Sequence, residues 1–178
     1  MKPAGRGSAA AMLLAVFTMG WPGLAAAQPP SPKETAEKFY RKYLSLGVSG
    51  LPTAKQLRAL EPWLQPELAA LIRDAQHRQA RAIASHPAEK PPWAEGDLFS
   101  SLFEGAQAFE AQDAKPLKDR AAVPLKLRHS EGRQVTRWTD TIVLTQHQGA
   151  WLVSDILFQG KWAFRSGGSL RQVLRGPG

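Results

Sequence analysis

The chain is 178 residues long, 43% apolar and 21% charged, with 15 Gly, 14 Pro, 6 Trp, no Cys and a formal net charge of +8. This composition excludes a collagen-like repeat, low-complexity disorder, a disulfide-stapled miniprotein and any zinc or iron–sulfur site built on thiolates. At roughly 100–200 residues per domain, the length fits one domain.

The first residues predict export. Lys2 and Arg6 precede an uncharged run from Ser8 to Leu24, and the run ends in Ala25-Ala26-Ala27. A positive start, an apolar centre and a small-residue cleavage site are the three parts of a secretory signal, so residues 1–27 are expected to be removed. A membrane anchor would need ~20 strongly apolar residues, and Gly20, Pro22 and Gly23 interrupt this stretch. With no cysteine at the cleavage site, the released chain is expected to be periplasmic or secreted, neither lipid-anchored nor membrane-spanning. Residues 28–178 then form a single domain of about 150 residues, a size that builds a core without disulfides. Its basic residues are scattered from Lys33 to Arg175, mostly with acidic neighbours. That spread points to a solvated basic surface rather than to nucleic acid, with weak attraction to anionic envelope surfaces.

Helices fill the first half. Ser31-Pro32-Lys33-Glu34 is a helix start with a capping box, and Gly47 is its stop. Ala36, Phe39, Tyr40, Tyr43 and Leu44 recur between them at helical spacing. Thr53-Ala54-Lys55-Gln56 repeats the box and opens a short helix that ends at Pro62. A long third helix starts near Gln65-Pro66-Glu67 with Leu68, Leu71, Ile72, Ala75, Ala82 and Ile83 as its apolar stripe, and Pro87 closes it.

Residues 90–105 are the most unusual stretch. Tandem Pro91-Pro92 fixes an extended entry, and Asp97 is placed to cap a short helix ended by Gly105, with Leu98, Phe99, Leu102 and Phe103 plugging the core. Trp93, Glu95, Asp97 and Glu104 lie close together in sequence. They are expected either to form a ligand-facing lip or to serve as ordinary capping and loop residues. Their spacing is not that of a calcium loop, and no metal or other cofactor is expected.

After Gly105 the period changes to two. Phe109 marks a short strand, Asp113–Asp119 a polar turn, and Val123, Leu125, Leu127 and His129 the inward positions of a second strand. Pro124 suggests an edge or a bulge. Strands follow over 134–145 and 151–159, with continuation through Trp162-Ala163-Phe164. A three-residue turn, His147-Gln148-Gly149, would place Leu144 opposite Leu152, Ile142 opposite Ser154 and Asp140 opposite Ile156. Trp138, Asp140, Ile142, Leu144, Leu152, Ser154, Ile156 and Phe158 then share the core face, leaving Arg137, Trp151, Val153, Asp155 and Leu157 outside. Asp140 is the anomaly, a carboxylate aimed at an apolar interior. It needs a buried donor, from Tyr40, Tyr43 or the amides of the Trp93 loop, or else a polar pocket to face.

Three helices followed by such a sheet resemble the nuclear transport factor 2-like, or cystatin-like, cone fold. The chain is also similar to a family of uncharacterised exported bacterial proteins. That likeness rests on Leu46-Gly47-Val48-Ser49-Gly50-Leu51-Pro52, on the stretch from Pro91 to Gly105, on Trp138-Thr139-Asp140 and on Trp151-Leu152-Val153-Ser154-Asp155-Ile156. The resemblance implies an α+β domain with N-terminal helices on the concave face of a curved antiparallel sheet and a pocket between. It implies no activity, because this fold hosts enzymes and binding modules alike.

No Gly-x-Ser-x-Gly or His-Glu-x-x-His motif is present. The leading expectation is therefore a non-catalytic envelope module with a small-ligand pocket lined by Tyr40, Trp93, Glu95, Asp97, Glu104, Trp138 and Asp140. A second is a protein-interaction or immunity-type module, its partner an envelope protein or a second copy, using the outer sheet face with Arg137, Trp151 and Asp155. The third is a pocket enzyme in which Asp140 is a proton-transfer base assisted by Tyr40 or Glu104, the Asp-and-Tyr pairing that steroid isomerases of this fold use. It requires Asp140 to be open to solvent.

Overall fold

The helix boundaries follow from local chemistry. A computed structural model describes residues 29–162 and 165–176; the expected export segment 1–27, Gln28, Ala163-Phe164 and Pro177-Gly178 lie outside them. Helix α1 spans Pro32–Leu46. The Ser31 hydroxyl accepts from the Glu34 amide at 3.3 Å and the Glu34 carboxylate accepts from the Ser31 amide at 2.7 Å, so two orphan donors are satisfied reciprocally. Gly47, at φ 55°, closes the helix in the left-handed conformation. Thr53 and Gln56 form the same box at the start of α2, Ala54–Leu60. A 3₁₀ turn at Glu61–Trp63 then leads into α3, Pro66–Ser85. A short fourth helix, α4 (Leu170–Arg175), was not foreseen; Ser169 caps it and Leu170 and Leu174 are fully buried.

Five strands build one antiparallel sheet: β1 (Ala108–Ala111), β2 (Lys115–Leu117), β3 (Arg120–Glu131), β4 (Gln134–His147) and β5 (Ala150–Leu157). β1 and β2 both pair with β3, so the expected polar turn holds a strand. Pro124 accordingly lies inside the sheet, between the last residue paired with β1 and the first paired with β2, where only its carbonyl is engaged, by the Gln112 amide at 2.9 Å. A missing N–H costs little at such a gap. β6 (Lys161–Trp162) and β7 (Arg165–Ser166) form a separate two-stranded ladder rather than extending the main sheet.

The β4–β5 register differs from the expected one by two one-residue deviations that add, so that beyond the second the pairing is displaced by two residues and the side chains keep their expected faces. The turn has two residues, Gln148 and Gly149, both at positive φ (49° and 81°), as the hairpin turn matching strand twist demands. His147 therefore faces Ala150 and Leu144 faces Val153. A bulge then leaves Ser154 unpaired, and Val143 meets Asp155 and Ile142 meets Ile156. Val153 is thus fully buried while Leu152 is only half-buried, the reverse of the expectation. Beyond the bulge the parity is restored, and Ile156 and Phe158 point inward as anticipated.

Helix α1 crosses the inner face, touching β1, β3, β4 and β5. Phe39, Tyr40 and Tyr43 pack there against Val123, Leu125, Ile142 and Leu144 in one contiguous core that also holds Leu57, Leu60, Leu68, Ile72 and Phe99. The stripe of α3 is buried only as far as Ala75; Ile83 near its end is 48% exposed. Residues 97–105 form a bent loop instead of a helix, burying Leu98, Phe99 and Leu102 but leaving Phe103 48% exposed.

The register gives a stability test. Val153→Ala should cost about 2 kcal/mol in urea unfolding, since it empties a fully buried site, whereas Leu152→Ala should cost under about 1 kcal/mol.

Candidate functional site

Alternation along β4 puts Asp140 on the inner face with Trp138, Ile142 and Leu144, and its exposure is 0%. An isolated carboxylate there would be untenable. It is held by three N–H donors from three parts of the chain. Oδ2 accepts from the Ser101 amide at 2.8 Å and from Trp138 Nε1 at 3.0 Å, and Oδ1 accepts from the Gln159 amide at 2.9 Å. The surrounding groups lock these donors. Thr141 Oγ1 donates to Gln159 Oε1 at 2.9 Å, Trp162 Nε1 donates to Ser101 Oγ at 3.3 Å, and the Trp138 and Trp162 rings meet edge-on at 5.9 Å. Gly160 has no room for a side chain: a Cβ would come within 2.4 Å of both Ser101 Oγ and Trp162 Nε1.

A second polar group lies under the same loop. Asp97 is 8% exposed, and its Oδ1 accepts from the Phe99 amide at 2.7 Å. This is the local bond of a capping aspartate, but a turn rather than a helix follows it. The Tyr43 hydroxyl pairs with the Asp97 carboxylate. The Tyr40 hydroxyl is buried and makes no hydrogen bond among the described residues. Burial first, and then the negative charge of Asp97, drives both phenols far above their ordinary pKa; Asp140 adds to the effect on Tyr40. The rings form a chain with Phe99 and Phe109, Tyr43 to Phe99 at 4.8 Å and Tyr40 to Phe109 at 5.1 Å.

The remaining expected site residues point elsewhere. Trp93 is half-buried at φ 51°, donates through Nε1 to the Val173 carbonyl at 3.2 Å and lies 4.9 Å beneath the Arg78 guanidinium. Arg78 in turn donates to the Leu174 and Gly176 carbonyls, capping α4. Glu95 pairs with Lys90 at 2.7 Å on the surface, and Glu104 is exposed. The Trp93 loop and the Gly47–Pro52 segment hold each other: the Gly50 amide donates to the Gly96 carbonyl at 2.7 Å and the Leu51 amide to the Trp93 carbonyl at 3.1 Å. A Cβ on Gly50 would stand 2.3 Å from the Trp93 carbonyl oxygen.

The seven residues expected around one pocket are therefore dispersed. Tyr40, Asp97, Trp138 and Asp140 belong to a sealed seam beneath the 97–105 loop, Trp93 fastens α4, and Glu95 and Glu104 face water. Of the expected donors to Asp140, a loop amide serves and the two tyrosines do not. A carboxylate closed off from solvent and held by three donors has no route to a substrate proton, so the third expectation, Asp140 as a base open to solvent, does not fit the geometry.

The open clefts lie on other surfaces. One of about 490 Å³ runs across β1, β3 and β4 with Glu110, Lys126, Arg128, Arg137 and Thr139 among its walls. Another of about 510 Å³ lies between Leu117, Arg120, Val143, Asp155, Leu157 and Arg171. Of the seven, only Trp138 lines either one. No helix among the described residues is long and apolar enough to cross a membrane.

Comparison with known proteins gives one distant homologue, the uncharacterized lipoprotein YbjP of Escherichia coli (strain K12), 26% identical over 147 residues and covering 80% of this chain and 75% of the relative. No family model matches the chain, and no solved structure matches it.

The two tyrosines are the only ones in the chain, which makes their burial easy to read. An unfolded phenol titrates near pH 10. With both folded values raised above that, the stability they confer is intact below pH 10 and falls as pH rises beyond it. Phenolate absorbance near 295 nm should stay flat above pH 10 until the far-ultraviolet circular dichroism collapses, then appear for both residues in that same step. For the seam, Asp140→Ala should cost about 4 kcal/mol in urea unfolding because three donors lose their acceptor. Trp138→Phe, which removes one donor, should cost about 1–2 kcal/mol.

Proposed function

We propose that this chain is an exported, non-catalytic module of the bacterial cell envelope, of nuclear transport factor 2-like architecture, that acts through the outer face of its sheet. The observation that carries this reading is the closure of the inner face around Asp140, at 0% exposure with three donors, while roomy clefts open on the outer side. A small-ligand pocket under the helices would need the space occupied by Phe39, Tyr40, Phe99 and Ile142. The helix layer across one face of an antiparallel sheet supports the architecture.

Export is supported by the N-terminal segment and by the relative's designation as a lipoprotein. The 178 residues contain no cysteine, so a cysteine-borne lipid is not part of the proposal. Surface contact takes that place.

Site-specific photo-crosslinking in cells tests the reading. A crosslinker at Thr139 or Leu157, on the outer face, should give discrete adducts, and one at Arg81, on α3, should give none. Adducts confined to Arg81 would overturn the assignment. Light scattering of the purified protein shows whether an adduct of twice the chain mass is a second copy.

A further inference from the structure

The outer sheet face is unevenly charged, and its basic end lies at the β3–β4 hairpin. The register sets Arg128 directly opposite Arg137, both exposed. Like charges facing each other across adjacent strands repel, yet among the described residues neither guanidinium is within ion-pair distance of a carboxylate; Arg128 donates to Ser130 Oγ at 3.1 Å. Lys126 lies one pleat along on the same side, opposite Thr139, and Arg133 occupies the hairpin turn. Val135, 40% exposed, stands between Arg133 and Arg137. Two carboxylates border the group. Glu110 faces Lys126 across β1 and accepts from Gln112 Nε2 at 2.9 Å, and Glu131 flanks the turn. Five cations elsewhere pair directly, Lys33 with Asp113, Arg73 with Glu61, Arg78 with Asp74, Lys90 with Glu95 and Arg120 with Asp119, while others, such as Arg58 and Arg81 on the helices, have no ion pair among the described residues. At this end the positive charge remains in excess.

Resting on the outer-face reading, we propose that this end of the sheet docks on an anionic phospholipid bilayer, Arg128 and Arg137 meeting lipid phosphates and Lys126 and Arg133 flanking them. The phosphates supply the counter-charge that the facing arginines lack. A free small anion is the poorer fit, because sites for small ligands enclose them with converging, desolvated polar groups. Here the cleft is open and its cations are exposed. A bilayer presents many phosphates at once, so the contributions of separate cations add. It also gives exposed Val135 an apolar boundary to enter, which a soluble polyanion does not.

The test is sedimentation of the full chain, processed as in the cell, with vesicles of phosphatidylcholine alone or containing phosphatidylglycerol. Binding should require the anionic lipid and weaken as salt rises. Arg128→Ala/Arg137→Ala should bind ~30-fold more weakly, at about 1 kcal/mol for each basic residue near such a surface. The double variant's circular dichroism and melting should match wild type, and Arg73→Ala/Arg81→Ala on α3 should bind as wild type does. Equal binding to neutral vesicles, equal binding by the two double variants, or no binding at all would overturn the proposal. So would full displacement by millimolar inorganic phosphate or by polyglutamate, the first marking a free-anion site and the second an acidic-chain partner. If vesicles fail while Thr139 still crosslinks in cells, the bilayer is wrong and the outer-face reading stands; if both fail, that reading falls with it.

Discussion

The buried carboxylate of Asp140 is the constraint around which the rest of this fold is arranged. A charge on the apolar face of a sheet is tolerated only where fixed donors replace its water, and here these come from β4 itself, from the 97–105 loop and from the segment leaving β5. Each donor is placed by something else: Trp138 by its ring contact with Trp162, the Ser101 amide by a loop whose Leu98, Phe99 and Leu102 are buried, and the Gln159 amide by Thr141 and the tight passage at Gly160. The carboxylate therefore cross-links, without a covalent bond, parts of the chain that would otherwise be independent surface loops. In a domain with no cysteine this is a substitute for a staple.

The same bonds decide where chemistry can occur. Carboxylates that act as bases keep a path to solvent or substrate, whereas Asp140 is fully buried. Asp97 is used in parallel fashion, on the Phe99 amide and the Tyr43 hydroxyl. Two carboxylates and two phenols in one interior resemble acid–base machinery on paper. Burial converts them into structural supports, and it raises the phenols far beyond the range in which they could exchange protons.

How much of this was legible in the sequence depended on the range of the interaction responsible. Capping boxes at Ser31 and Thr53 act within four residues, so both helix starts and the Gly47 stop were readable. Strict alternation placed Trp138, Asp140, Ile142 and Leu144 inward without help from any other element. The errors begin where a distant contact intervenes. The hairpin length and the Ser154 bulge are chosen by strand twist and by the Ser154 hydroxyl bonding to the Val143 carbonyl, and periodicity cannot see either. The 97–105 segment has a helix's apolar spacing, but the Gly50–Gly96 and Leu51–Trp93 bonds pull its entry toward another loop. The Ser101 amide, Gln159 and Trp162 completed the seam, and no residue pattern near them announces that role.

A sheet with one sealed face leaves its variability to the other. Because neighbours along a strand point to opposite sides, Lys126, Arg128 and Arg137 can differ in identity without disturbing Leu125, Leu127 and Trp138, which stand beside them in sequence and face the core. Interior and exterior of this domain are consequently under different physical demands. The inner face must satisfy Asp140 or the fold loosens, whereas the two facing arginines contribute one exposed hydrogen bond, Arg128 to Ser130, and carry a repulsive cost. A feature that opposes stability where substitution would be easy is better explained by something outside the molecule. Negative charge brought to that face is the simplest such agent, since it turns the repulsion between the arginines into a shared attraction.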